Sequence, residues 1–309
     1  MRSLIPSWNC ARLTIVLAAC LLLPAVTLAA ELKVTTWNLN WLTERPAGDP
    51  SLPADVHVRA PGDFDLLRQY AAQLDADVIA IQEVDGRAVA ARIFPPDRYS
   101  IHMTHDDVVQ RVGIVVRRGL SYDVNPDVAA LQGDRRLHLR SGADITLHLP
   151  VGHLPAGQLP AGQLPAGTLR ILAVHLKTGC DDAPLARSRR RSCVELRAQV
   201  PPLQAWIAAR QQEGVPFIVL GDFNRHMDGK DQLWAALSHT APLVRATEGR
   251  SSPCWVSEAF IDHIIAGGAA REWMQLPTLR VLHYRESGDD WQDRLSDHCP
   301  VSVDFQIPG

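Results

Sequence analysis

The chain has 309 residues and a near-balanced charge, 31 lysines and arginines against 34 aspartates and glutamates, for a formal net charge of −3. That balance does not of itself point to a polyanionic partner, and the length is enough for one large α/β domain. Past residue 30 no stretch is long and apolar enough to span a bilayer.

Arg2 and Arg12 flank the start of an apolar run, LTIVLAACLLLPAVTLAA (13–30), which ends in small residues. This is the pattern of a secretory signal peptide over 1–30, cut after Ala29 or Ala30. An uncleaved anchor is a rival, but the run is barely long enough to span and Pro24 interrupts it. LAAC (17–20) resembles a lipoprotein cleavage box, yet mostly apolar residues follow Cys20 where a polar tether belongs. On the signal-peptide reading the protein is secreted or periplasmic, and residues 31–309 form the domain. Removal of Arg2 and Arg12 leaves 29 bases facing 34 acids. Cys180, Cys193, Cys254 and Cys299 remain, an even number for an exported chain. Cys180 and Cys193 flank a polar loop and are expected to bridge. Cys254 with Cys299 follows by elimination only, with a buried free thiol at Cys299 as the alternative.

Apolar runs rich in Val and Ile read as strands at 32–38, 78–83, 111–117, 145–149, 169–175, 216–221, 260–265 and 300–305. Most are continuous enough to be buried on both faces. DFDLLRQYAAQL (63–74) reads as a helix, with Asp63 as N-cap and Phe64, Leu67, Ala71 and Leu74 on one face. PPLQAWIAARQQ (201–212) reads as a second helix, opened by its prolines and followed by Gly214. Strands with interspersed helices give an α/β sandwich. Between 149 and 169 the unit LPAGQ repeats. Proline and glycine at that spacing forbid a helix or ladder, so 150–168 is expected as a loop insert joining two strands. It enters the second strand roughly 20 Å before His175, at ~3.3 Å per residue.

The strands share a habit at their ends. VTTWN ends on Asn38, VIAIQE on Glu83, ILAVH on His175, and FIVLGDFN on Asp222 and Asn224. SDHCPV sets Asp297 and His298 just ahead of a strand, and FIDHII carries Asp262 early in another. One carboxylate at a strand end is a turn former. Amides, carboxylates and imidazoles brought to one rim by six runs describe a site, because open sheets bind ligands beyond their strand ends. Glu83, Asp297 and Asn38 offer only oxygen, which suits Mg2+, with Mn2+ or Ca2+ as alternatives. No HExxH or paired CxxC suggests zinc. Histidines beside such a cation suit general acid–base work or charge stabilisation at phosphorus. His263 and His283 are expected to be structural, and Trp37 and Trp41 to be core residues.

TTWNLNWL, IQEV, HLKTGC, GDFN and SDHCPV stand in the order and approximate spacing of the endonuclease/exonuclease/phosphatase superfamily, which the chain resembles over 32–305. The resemblance implies a DNase I-like fold, a four-layered α/β/β/α sandwich with its site at one edge of two packed sheets. It implies that Glu83 is the principal Mg2+ ligand, that Asn38 touches metal or phosphate, and that Asp297 is a further ligand. Asp222 would orient or deprotonate the attacking water, and Asn224 would donate to the scissile phosphate. His298, held by Asp262, would stabilise the pentacovalent phosphorus, and His175 resembles the second histidine of the DNase-type branch. That branch holds this histidine with a glutamate, where the matching position here is Gln110. Either Asp106 or Asp107 then substitutes, or His175 mainly hydrogen-bonds phosphate.

Arg187, Arg189, Arg190 and Arg191 crowd between Cys180 and Cys193, and Arg111 and Lys177 add positive charge. Clustered arginines near a hydrolytic site suit a polyphosphate backbone. A solvated charged face is the plain alternative. No exposed aromatic hairpin of the sphingomyelinase kind is visible, and FNRHMDGK (223–230) resembles the inositol-phosphatase signature only loosely. The expectation is an exported, monomeric, Mg2+-dependent nuclease that hydrolyses DNA or RNA by in-line attack of water, with no stable membrane association. The alternative is a phosphatase or phospholipase C-type, sphingomyelinase-like esterase of the same fold. A non-catalytic binding domain is a third reading, against which the full motif set speaks.

Overall fold

Period-two alternation sends apolar side chains to both faces of each strand, and the two faces find different partners. In the computed structural model residues 30–134, 139–149, 167–254, 258–287 and 290–308 are described. The body of the signal-peptide reading (1–29) and of the LPAGQ insert (150–166) lies outside the described residues. Among those described, the strands are β1 (Ala30–Leu42), β2 (Val78–Val84), β3 (Tyr99–Met103), β4 (Arg111–Arg117), β5 (Ser121–Val124), β6 (Ala143–His148), β7 (Thr168–His175), β8 (Phe217–Asp222), β9 (Leu243–Arg245), β10 (Ser251–Ser252), β11 (Glu258–Ala259), β12 (Asp262–Gly267), β13 (Met274–Val281) and β14 (Val301–Ile307). The longer helices are α1 (Pro61–Leu74), α2 (Arg87–Ile93), α3 (Arg191–Glu213) and α4 (Gln232–Thr240).

One six-stranded sheet has the order β13-β14-β1-β2-β4-β3, and a second has β5-β6-β7-β8-β12-β9. Only β1–β2 and β7–β8 pair in parallel, and their crossovers carry α1 and α3. The inward residues Val34, Val78, Ala80 and Ile114 of the first sheet pack with Ile171, Ala173, Ile218, Leu220 and Ile264 of the second. The outward residues Ile79, Ile81 and Val115 take Phe64, Leu67 and Leu74 of α1 and Ile93 of α2. On the far side, Leu172, Val174, Phe217 and Val219 take Leu196, Leu203 and Ile207 of α3 and Leu233 and Leu237 of α4. These three clusters are the interfaces of a four-layered α/β/β/α sandwich.

Two local expectations change. α3 does not open at Pro201. It starts ten residues earlier, with Pro201 and Pro202 inside it. Two internal prolines cost ~3 kcal/mol or more each. Burial of Cys193, Leu196, Leu203, Trp206 and Ile207 on the second sheet outweighs that, at ~1.5–3 kcal/mol for each large apolar side chain. α1 starts at Pro61, so Asp63 is not its N-cap but lies three residues inside, where Oδ2 accepts the Ala60 amide at 2.9 Å. Short or edge strands β3, β5, β9 and β13 carry no continuous apolar run. β13 contains Pro277 and slips register against β14 between Gln275 and Arg280.

The strands flanking the insert pair as a hairpin with His148 opposite Thr168, at the end of β7 away from His175. Both cysteine pairs are bridged, Cys180–Cys193 with Cα atoms 5.0 Å apart and Cys254–Cys299 with 5.8 Å, so Cys299 is not a free thiol. No helix among the described residues is long and apolar enough to cross a membrane.

Gly221 is the tightest backbone approach in the second sheet. Its φ is 145°, and an added Cβ would meet the Val174 carbonyl oxygen at 1.9 Å across the parallel pair. Gly221→Ala is expected to destabilise the fold by ~3 kcal/mol or more. A urea-midpoint measurement that finds it unchanged would refute this account of the β7–β8 contact.

Candidate active site

The inward face that carries Ile171, Ile218, Leu220 and Ile264 continues into polar residues at one end. His175 stands opposite Asp222 in the β7–β8 register, and Asp262 opposite Asp222 in β8–β12. One transverse row therefore presents an imidazole and two carboxylates, each under 5% exposed. In the first sheet Asn38 pairs with Gln82, after which both neighbours of β2 lose register around Glu83. Glu83 has φ 61°, and Asn40 and Trp41 have φ 43° and 52°. Positive φ is uncommon outside glycine and collects where structure is held for function.

Side chains from both sheets meet at Asp222. Asn38 Nδ2 donates to Asp222 Oδ2 at 3.0 Å and to Glu83 Oε1 at 3.1 Å. Asn224 donates its main-chain N–H to Asp222 Oδ1 at 2.7 Å, and its amide to Asp222 Oδ2 and Leu176 O, both at 3.1 Å. Both amide hydrogens of Asn224 are thus spent within the protein. Burial raises Asp222 to about 7, against the pull of His298. His298 Nδ1 pairs with Asp262 Oδ2 at 2.8 Å, while Nε2 lies 3.9 Å from Asp222 Oδ2 and 4.0 Å from Asp297 Oδ1. Burial opposes charge on this imidazole. The carboxylates of Asp262, Asp222 and Asp297 overcome it and hold its pKa well above the usual value. Its main chain is fixed too, since the carbonyl accepts from Tyr284, which in turn accepts from Trp37.

Glu83 Oε2 accepts from the Trp41 N–H at 3.1 Å and from Gln110 Nε2 at 2.5 Å. Gln110 therefore serves Glu83, not His175. Asp106 does not serve His175 either, because it accepts from Ser141 N and Oγ and from Gln132. The nearest polar neighbour of His175 is Arg140, whose Nη2 lies 2.6 Å from Nε2 and 2.7 Å from Nδ1, while Asp222 Oδ2 and Glu83 Oε1 lie 3.5 Å and 3.6 Å from Nε2. Burial, then Arg140 and His298, push the His175 pKa well below the usual value, so the ring is neutral. Asp297 is half-buried, and its carboxyl is raised by burial and by the negative charge of Glu83 and Asp262, against the pull of His298. Asp222, Asp262 and His298 bring one ligating atom each within 4.8 Å of one another. The charged imidazole is already spent on the two carboxylates there, whereas Glu83 and Asp297 repel one another across the cleft floor.

A cleft of about 1370 Å³ opens onto Glu83, His175, Asp222, Asn224, Asp297 and His298. Arg111 lines it, with Nε donating to Asp106 O at 2.7 Å. Lys177 lines it as well, with Nζ 3.9 Å from Glu195 Oε2. Trp37 is fully buried, as expected, but Trp41 is half-buried on the cleft wall, not in the core. Arg187, Arg189, Arg190 and Arg191 are exposed and do not line the cleft. The sequence reading passed over Arg140 and Arg59. Each is a lone arginine outside any recurring pattern, and only burial without a carboxylate partner marks it.

Residues 35–298 match the Endonuclease/Exonuclease/phosphatase family model. The chain belongs to that family. Its members are metal-dependent phosphoester hydrolases, and so is this chain. Solved structures share the fold at low identity. The human Nocturnin catalytic domain, with bound sulfate anion, is 16% identical with a TM-score of 0.54, covering 90% of this chain and 95% of that one. Humanized D. rerio TDP2 is 15% identical with a TM-score of 0.56, covering 89% and 98%. The 3′ phosphatase NExo from Neisseria, bound to product DNA hairpin, is 17% identical with a TM-score of 0.54, covering 89% and 99%. No curated protein sequence matches the chain.

His263 sits next to this centre without joining it. Nδ1 lies 2.6 Å from Thr247 Oγ1 and Nε2 lies 3.1 Å from Arg225 O, which fits the structural role expected of it. His283, by contrast, is exposed. Burial lowers His263 to about 3. The unfolded ring takes a proton near pH 6.5 while the folded ring refuses it, so its contribution is complete above pH 6.5 and lost as pH falls toward 3. His263→Gln is expected to flatten the rise in stability between pH 4 and 6.5, measured as urea midpoints. Parallel pH profiles for the two proteins would rule this out.

Proposed function

We propose that the chain is an exported, Mg2+-dependent phosphodiesterase, and specifically a nuclease acting on DNA or RNA. The observation that carries this is one cleft holding a carboxylate poised near neutrality, Asp222, a charged imidazole, His298, and the oxygen donors Glu83 and Asp297. Glu83, Asp297 and Asn38 would hold the ion. Their oxygen-only chemistry, and the mutual repulsion of the two carboxylates, fit Mg2+, with Mn2+ or Ca2+ as substitutes. Such an ion supplies charge stabilisation to phosphoryl oxygens and orients the ester.

The protein's own groups do the rest. Asp222 takes the proton of the attacking water, a task its raised pKa suits. Asn38 and Asn224 hold its two oxygens, so Asn224 acts here as support for the base rather than as a free donor to phosphate. His298 presents Nε2–H to a phosphoryl oxygen, steered by Asp262. Arg140 supplies fixed positive charge beside neutral His175, and the two together suit a second phosphoryl oxygen, with Arg111 and Lys177 further out. Water attacks in line, its proton passes to Asp222, and the opposite P–O ester bond breaks with its electron pair going to the departing oxygen, which takes a proton from solvent.

Two features favour nucleic acid over a small ester. A relative of the same fold, NExo, is bound to product DNA hairpin. Close in sequence to the cleft residues Thr178 and Asp181, Arg187, Arg189, Arg190 and Arg191 stand exposed where a tied loop runs into α3. The Cys180–Cys193 bridge closes that loop, Arg197 donates to its Leu185, Ala186 and Ser188 carbonyls, and Ser192 bonds Gly179. Arg190 and Arg191 open α3, the helix end where positive charge is unfavourable. Arg191 is offset by Glu195, with Nε 2.7 Å from Oε1, and an anionic ligand would offset Arg187, Arg189 and Arg190. The signal-like leader and the two disulfides support export.

Plasmid DNA incubated with Mg2+ is expected to be cut, EDTA to stop it, and Asp222→Asn or His298→Ala to lower kcat about 10³-fold. Release of inorganic phosphate from sugar phosphates with intact DNA would favour the phosphatase alternative, and inertness toward every ester would end the proposal. Replacing Arg187, Arg189 and Arg190 together by Gln is expected to raise KM for long DNA and to reduce the salt slope of binding by ~0.9 for each phosphate no longer neutralised. Hydrolysis of bis(p-nitrophenyl) phosphate should not change. An unaltered salt slope would show that the loop is only a solvated charged face.

A further inference from the structure

Arg59 lies just ahead of α1 and is 6% exposed. Every hydrogen bond it makes goes to a main-chain carbonyl. Nε donates to Arg294 O at 3.1 Å and Nη1 to Trp41 O at 3.3 Å. Nη2 donates to Leu39 O at 2.8 Å, Asn40 O at 2.8 Å and Leu295 O at 2.7 Å. Burial lowers its pKa to about 10, so it stays charged at neutral pH. A buried guanidinium paired with five carbonyls and no carboxylate is a costly way to fill space. Its planar fork is the one side chain that reaches so many acceptors at once.

The acceptors belong to two segments that meet nowhere else in sequence. Leu39–Asn40–Trp41 is a turn-like bulge inside β1, where its register against β2 shifts between Asn38 and Leu42, and two of its residues carry positive φ. Their carbonyls face Arg59 while their amides face the site. Asn40 N donates to Asn38 Oδ1 at 2.9 Å, and Trp41 N donates to Glu83 Oε2 at 3.1 Å. Arg294 and Leu295 run directly into Ser296, Asp297 and His298, and Ser296 Oγ donates to Asn38 O at 2.7 Å. The same cation thus grips the turn that orients Asn38 and Glu83 and the segment that delivers Asp297 and His298.

We propose that Arg59 is a positioning residue that sets the spacing between the Asn38–Glu83 pair and the Asp297–His298 pair, and so pre-forms the divalent-ion site. The proposal rests on the ligand assignment above. It adds that the strained turn persists because its carbonyls are held from behind. Lysine keeps the charge but offers three donors on a flexible stem and cannot span both segments.

Apo protein titrated with Mn2+ in a calorimeter tests this without reference to turnover. Arg59→Lys is expected to bind Mn2+ about 10–100-fold more weakly, the usual effect of losing support behind a ligand set. With bis(p-nitrophenyl) phosphate, kcat at limiting metal should fall in step and be partly regained at high metal, while KM for the ester stays within about twofold. Asp144→Asn is the control for simple destabilisation. It removes the charge that Asp144, in β6 and outside the cleft, sets against Arg170 of β7, and one of the two acceptor oxygens it offers to Arg170 and to Trp206 of α3. It is expected to lower the melting temperature and leave Mn2+ affinity unchanged. Should Arg59→Lys not fold, Arg59→Lys combined with Asn40→Gly relaxes the left-handed turn, and it is expected to bind Mn2+ more weakly than Asn40→Gly alone. Equal Mn2+ affinity with and without Arg59, or an equal loss in Asp144→Asn, would overturn the proposal. If wild type binds Mn2+ but cleaves no ester, the functional reading falls and this one stands. If wild type binds no Mn2+, both fall.

Discussion

The hydrogen bond from Asn38 to Asp222 crosses from one sheet to the other, and the site depends on it. Between the sheets almost everything is apolar, and that interface has to end somewhere. At one rim it ends in buried carboxylates, which cannot stay there without donors. Asn38 brings a donor from β1, Asn224 brings two from the loop after β8, and His298 faces the same oxygen from ahead of β14. Satisfying one buried Asp222 therefore fixes the relative position of both sheets at the end where the chemistry would occur. If β8 slipped by one residue against β7 and β12, its polar end would exchange faces with the apolar residues packed on the helices.

Much of this was legible because strands buried on both faces are written as continuous apolar runs. Where such a run stops at a polar residue a strand ends, so Asn38, Glu83, His175 and Asp222 could be placed on a rim from the sequence alone. The family motifs in their order then supplied the layers. The short edge strands were not legible, because their residues pack on one side only and carry no apolar run. The true start of α3 was hidden by its own prolines, which mark a helix start locally and are overridden by the apolar face that α3 lays on the second sheet. Arg140 and Arg59 were hidden for another reason. Both act through contacts with residues from 18 to more than 200 positions away, so no local spacing reveals them. The departure at Gln110 was visible, but its answer was not. The amide turned to Glu83, and the nearest polar neighbour of His175 is a cation rather than Asp106 or Asp107.

Asn224, Asp297 and His298 lie just outside strands, and Asn38 and Glu83 lie where the β1–β2 ladder is interrupted, so ladder hydrogen bonds do not hold the chain at these points. Other devices take over there. Cys299 follows His298 and is tied to Cys254, while Cys180 lies shortly after His175 and Lys177 and is tied to Cys193. Tyr284 and Ser296 hold the backbone around His298, and Arg59 holds the backbone on both sides of the first-sheet cluster. Left-handed residues at Asn40, Trp41, Glu83 and Asn224 tolerate their conformation because each is held by such a contact.

Charge explains why so many acids and bases can share this volume. Glu83, Asp222, Asp262 and Asp297 are four potential negative charges, and His298, Arg140 and Arg59 are three positive ones close by. One negative charge is left over. A phosphodiester brings one more, and a divalent cation brings two positive charges, so the loaded site is neutral. Without the ion the excess has to be absorbed by protonation, and buried Asp222 and half-buried Asp297 are the carboxyls that burial first, and neighbouring negative charge second, push upward to take it. Raised carboxyls and an appetite for a cation are two faces of the same imbalance. An ion bound by Glu83 and Asp297 would release the proton from Asp222 and leave it as the base that a water molecule needs.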